Sequence, residues 1–106
     1  MAIYKGTEVK FGINLTAQGF DMDADDFDIQ IVSKRVTISG SKGNPDPESK
    51  IRIFKDDGEW FVIAETDTLS TDQLKVVVTA YIPDANAADG VRKEIAVANL
   101  DTLINP

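Results

Sequence analysis

Hydrophobic residues in this chain recur at every second position in one stretch after another, and a period of two builds strands, not helices. Val9, Phe11, Ile13 and Leu15 alternate with Glu8, Lys10, Gly12 and Asn14. That spacing gives a strand one face for a core and one for water. Phe27, Ile29 and Ile31 repeat it against Asp28, Gln30 and Ser33, and Val36 and Ile38 follow with Thr37 and Ser39 outward. Ile51 and Ile53 flank Arg52, and Phe54 comes next.

Turn chemistry separates these runs. Residues 17–26 are turn-rich, and residues 40–48 (GSKGNPDPE) hold two glycines and two prolines. Asp56-Asp57-Gly58-Glu59 reads as a hairpin turn, with a return strand over residues 60–65. Residues 67–73 are polar, and Ser70 or Thr71 is placed to cap one short helical turn. Residues 74–82, rich in Val, Thr and Tyr, predict a near-central strand that Pro83 ends, because proline has no N–H for the ladder. A second long connection, PDANAADG, leads to a last strand over residues 91–100 with Ile95 and Val97 inward. Residues 101–106 are then a tail or a terminal pairing segment.

About seven short strands at spacings of roughly 8–12 residues predict a two-sheet sandwich. The expected fold class is all-β: an immunoglobulin-like, antiparallel two-sheet β-sandwich filling residues 1–106 as one domain. An open barrel is the alternative. The antibody Cys…Trp…Cys hallmark is absent, so the likeness is architectural. A hydrophobic fraction of 42% supplies a core without metal or disulfide staples.

Composition closes many functions. With no cysteine and no histidine, the chain lacks thiol nucleophiles, thiolate sites, the usual zinc ligand and the commonest general base. No Ser-His-Asp triad or HExxH site can be built. A net charge of −7 and the lack of a basic stripe argue against nucleic acid and anionic membranes as partners. The first residues carry no basic-then-apolar signal pattern, and no apolar run approaches the ~20 residues of a membrane span. The expectation is a soluble, non-enzymatic protein.

Three constellations carry the remaining chemistry. Asp21, Asp23, Asp25, Asp26 and Asp28 lie within eight residues, and such oxygen-rich clusters suit calcium. As an EF-hand the stretch fails, with Asp26 where glycine belongs and Val32 where the bidentate glutamate belongs. An inter-strand calcium site joining Asp21, Asp23, Asp25 and Asp26 with Asp84, Asn86 or Asp89 needs no such motif. Turn formation at the entrance to the strand at Phe27 accounts for the same aspartates. Paired carboxylates also serve glycoside hydrolysis, but nothing here marks one acid as buried. Trp60 and Tyr81 are candidates for a sugar-stacking platform; Trp60 and Phe61, being adjacent, must face opposite ways. Arg92 and Glu94 share one face of the last strand as a surface pair or an interface contact.

Taken together, three stretches resemble a known family. INLTAQGFDMDADDFDIQIV (residues 13–32), AETDTL (64–69) and LKVVVTAYIPDANAADGVRKEI (74–95) are similar to small proteins of prophage-like regions in Bacteroides-type gut bacteria. Those in turn are similar to the N-terminal β-sandwich domain of phage upper-baseplate proteins. The chain departs from that pattern in its longer Gly/Pro loop over residues 41–48. The resemblance implies a tail-assembly component, present in the bacterial cytoplasm during assembly and then in the virion, that is homo-oligomeric or bound to other tail proteins. The interaction loops it implies carry Phe20, Phe27, Pro83, Asp84, Asp89 and Arg92, and it implies no catalytic residues; no cofactor is expected besides the calcium weighed above. The rival expectation is a carbohydrate or cell-surface ligand-binding domain, calcium-assisted, using Trp60 or Tyr81.

Overall fold

The computed structural model describes residues 2–106. Eight strands run in chain order: β1 (Ala2–Tyr4), β2 (Glu8–Ile13), β3 (Phe27–Val32), β4 (Thr37–Ser41), β5 (Ile51–Asp56), β6 (Glu59–Glu65), β7 (Asp72–Pro83) and β8 (Val91–Ile104). They form two sheets, ordered β1-β8-β7-β3-β4 and β2-β6-β5, with no helix among the described residues. The all-β expectation holds, and the two layers are consistent with a β-sandwich.

The alternation seen in the sequence becomes the core. Phe27, Ile29 and Ile31 of β3, Leu74, Val76, Val78, Ala80 and Ile82 of β7, and Val62 and Ala64 of β6 are buried. Antiparallel register sets Phe27 against Ala80, Ile29 against Val78 and Ile31 against Val76, so one face of the larger sheet is continuously apolar. Phe11, Ile13, Leu15 and Trp60 pack on it from the opposite layer and its loops. Removing these faces from water is the main driving force for such a fold, at about 25 cal/mol per Å² of apolar surface.

The hairpin at residues 56–59 forms as its composition predicts. Asp56 pairs with Glu59, and the two central residues, Asp57 (φ 51°) and Gly58 (φ 79°), both have positive φ. That is the primed-turn geometry whose twist matches paired strands, and it explains glycine at the second central position. Pro83 is the last residue of β7, again as expected.

Four expectations are corrected. The strands number eight, because Ala2–Tyr4 forms an additional one. That strand runs parallel to β8, pairing Ala2 with Thr102 and Tyr4 with Ile104, so the sheets are not wholly antiparallel. Of the two expectations for the chain end the pairing one holds: residues 101–104 continue β8, and Leu103 is fully buried. No helical turn forms at Ser70. Its N–H donates to Ser33 Oγ at 2.9 Å and its Oγ accepts from Arg35 N–H at 3.1 Å, so it fastens the β3–β4 connection instead.

The fourth correction concerns Ile95 and Val97, expected inside but 63% and 61% exposed. The period of two holds in this strand, but the opposite set of residues faces inward. Register places Ile95 opposite Thr79 and Val97 opposite Val77, on the outer face of the sheet. On the inner-facing side β8 presents Glu94, Ala96 and Ala98, and these are exposed too, since the three-stranded layer does not cover them.

Candidate functional site

The Asp-rich stretch folds into a turn at one end of the two layers, and its geometry follows from its own hydrogen bonds. Asp21 Oδ1 accepts from Asp23 N–H at 2.9 Å, and Asp25 Oδ2 accepts from Asp21 N–H at 2.9 Å. Short aspartate side chains close such turns on their own backbone. Asp23 Oδ1 also accepts from the Trp60 indole N–H at 2.9 Å and pairs with Lys55 Nζ at 2.9 Å. Asp26 packs against Gly43, where an added Cβ would stand 2.5 Å from the carboxylate carbon. A side chain at position 43 would therefore displace the Asp26 carboxylate.

At the centre of the turn lies Lys42, a residue that carries no motif or periodic signal in the sequence. Its ammonium donates to the carbonyl oxygens of Met22 at 2.8 Å, Asp23 at 2.8 Å and Asp25 at 2.7 Å. It also lies 5.2 Å from the Trp60 ring centre and 5.8 Å from that of Phe27. Three oxygens converge on a cation, and the cation is the protein's own. The calcium expectation for Asp21, Asp23, Asp25 and Asp26 finds no converging carboxylates. Among the described residues no three His, Cys, Asp or Glu side chains are placed to hold a metal.

The second sequence-marked loop meets the first. Arg92 binds Asp84 through Nη1, Glu94 through Nε at 3.0 Å, and the Gln18 carbonyl through Nη2 at 2.7 Å. The 83–91 turn is thus tied to the 14–26 connection, while Pro83 and Asp89 are exposed. Phe20 and Phe27 are in edge contact at 6.3 Å, with Phe27 fully buried and Phe20 half-buried.

The two platform candidates separate. Trp60 is half-buried against the core, edge-on to Phe27 at 5.7 Å. Tyr81 lies on the outer face of the larger sheet, its hydroxyl donating to Asp28 Oδ2 at 2.6 Å with Lys93 5.7 Å from its ring. Both border an open groove of about 1510 Å³ along the 41–47 loop. A further aromatic pair has no signal of its own in the sequence: Phe54 and Phe61 stack at 5.9 Å on the outer face of the smaller sheet, with Lys10 4.7 Å from the Phe61 ring. Cross-strand register, which places Phe54 opposite Phe61, is what brings them together.

Electrostatics at this end is stabilising toward neutral pH. Hydrogen bonds from Lys55 and then Trp60 hold the Asp23 carboxyl below its ordinary value. The Asn86 N–H and then Arg92 do the same for Asp84. For an acid depressed in the folded state, the stabilisation is present above the unfolded value of about 3.9 and is lost as pH falls through the lowered one. Urea unfolding at pH 5 and pH 2.5 should therefore show a lower midpoint in acid. An Asp23→Asn/Asp84→Asn variant should lose part of that difference; an unchanged difference would contradict the pairing.

The remaining feature is β8. Its pairing with β1 begins only at Thr102, so over Val91–Leu100 its outer edge faces no strand among the described residues. Sheet edges in stable monomers are shortened, charged or covered. This one carries Arg92, Lys93 and Glu94 at its start and then the uncharged run Ile95-Ala96-Val97-Ala98, exposed on both faces. No helix among the described residues is long and apolar enough to cross a membrane. No family model, curated protein or solved structure matches the chain.

Proposed function

We propose that this chain is a non-catalytic assembly module on an immunoglobulin-like β-sandwich, a phage or prophage tail component of baseplate type, acting through protein–protein contacts with itself and other tail proteins. The observation that supports this reading is the open edge of β8, where Ile95 and Val97 are 63% and 61% exposed beside an unpaired backbone. An unpaired strand presents a row of N–H and C=O groups that another strand satisfies, and apolar side chains on its faces add to the attraction. The acidic balance of the whole chain favours protein over nucleic-acid partners. The groove beside Trp60 and Tyr81 supports a ligand-binding reading less well, because the indole N–H is committed to Asp23 and the phenol to Asp28.

An Ile95→Lys/Val97→Lys variant tests the proposal. Both side chains are on the surface, so the unfolding free energy from urea titration should change by no more than about 0.5 kcal/mol. In light scattering, association seen for the wild type should disappear in the variant. Association that survives both lysines would place the contact elsewhere and overturn the assignment to β8.

A further inference from the structure

Resting on the assembly reading, we infer that the partner of β8 is β8 of a second copy, paired antiparallel about a two-fold axis at Ala96. The open edge is nearly self-complementary around that residue. With Ala96 opposite its own mate, Ile95 faces the partner copy's Val97, and Val97 faces its Ile95. On the outer face the two exposed residues of each copy then become one four-residue apolar cluster. Glu94 falls opposite Ala98, Lys93 opposite Asn99 and Arg92 opposite Leu100, so no like charges meet.

Neighbouring registers are worse: a two-fold at Ile95 pairs as many residues but sets each Val97 opposite Lys93, which breaks up the apolar cluster. A two-fold at Lys93 or at Glu94 sets a charge directly against its copy, which destabilises a strand pair. A two-fold at Val97 leaves Val91 and Arg92 without partners and sets Ile95 opposite Asn99, which breaks up the apolar cluster. In the register at Ala96 every residue from Arg92 to Leu100 is paired, and the ladder stops before Thr102, where β1 already occupies the edge. The result is a continuous ten-stranded sheet across two copies, since each contributes the five strands β1-β8-β7-β3-β4. A C2 contact of this kind is isologous and closes on itself.

The chain has no cysteine, so a single introduced thiol reports the register without interference. Opposed residues in an antiparallel pair bring their Cα atoms to about 4.5–5.5 Å, inside the disulfide range. Ala96→Cys should therefore cross-link to its own mate under mild oxidation. Val91→Cys lies five residues from the axis, roughly 33 Å from its mate at 3.3 Å per residue, and should not. Cross-linking of the Ala96→Cys protein should be about 10-fold faster or more, because pairing raises the local thiol concentration. Equal rates at the two positions would overturn the register. If the wild type associates in light scattering and Ala96→Cys fails to cross-link, β8 self-pairing fails and the assembly reading stands. If wild type and variant are both monomeric at every concentration, self-assembly fails as well.

Discussion

Phe27→Ala should lower folding stability by about 4 kcal/mol, the range found when a buried aromatic is removed from a core. Phe27 is fully buried at the start of β3, edge-on to Phe20 and Trp60, with the Lys42 ammonium near its ring. Truncation therefore removes apolar burial, two aromatic contacts and a cation–ring contact together. It also leaves a cavity at the end of the layers where the Asp-rich turn is seated, beside Phe20, Met22 and Trp60. In a domain of 106 residues the loss corresponds to a fall in melting temperature of roughly 20 °C. Chemical denaturation of the purified variant measures it. A loss below about 1 kcal/mol, the middle of the range for any point substitution, would contradict the packing described around this ring.

The second large effect is expected at Lys42. Lys42→Met keeps most of the aliphatic stem, removes the charge and leaves the carbonyls of Met22, Asp23 and Asp25 without their shared donor. Hydrogen bonds from a charged donor contribute about 1.5–3 kcal/mol each in favourable settings. Water reaches part of this turn and replaces some of what is lost, so a net cost of about 2 kcal/mol is expected for the substitution. The signature is local as well as global. Trp60, whose ring lies 5.2 Å from the ammonium and whose indole N–H is held by Asp23, should change its fluorescence in the native state. Unchanged stability together with unchanged emission would show that the ammonium does not organise the turn.

How far the sequence led depends on which physical term decided each feature. The strands at residues 27–32 and 74–82 were legible because buried apolar residues alternate there without interruption, and the 56–59 hairpin because Asp-Gly chemistry is local. The face presented by β8 was not legible. Alternation identifies two faces but not which one meets the opposite layer, and that choice lies in register with β7 and in how far the three-stranded sheet extends. The parallel pairing of Ala2–Tyr4 with residues 102–104 escaped for a related reason, since contacts between the two chain ends leave no local trace.

The Asp-rich stretch shows the same limit at the candidate site. Five aspartates within eight residues identify a place where oxygens gather, which is a compositional fact. What occupies the centre is a lysine from the loop after β4, nineteen residues from Asp23 in sequence. A rule that counts ligands along the chain sees the acids and passes over the amine. The meeting of the 83–91 turn with the 14–26 connection is likewise a product of tertiary folding: Arg92 reaches the Gln18 carbonyl across 74 positions.

The claim on which the functional proposal depends is that the β8 edge finds a strand in solution. Amide hydrogen exchange, followed by mass spectrometry from low to high protein concentration, tests it most directly, because edge amides exchange freely until they are hydrogen-bonded. The account predicts that peptides covering residues 91–100 become slower as concentration rises, while those covering β2, β4 and β5 do not change. Exchange over residues 91–100 that stays fast at every concentration, or protection that appears on another edge instead, would contradict it.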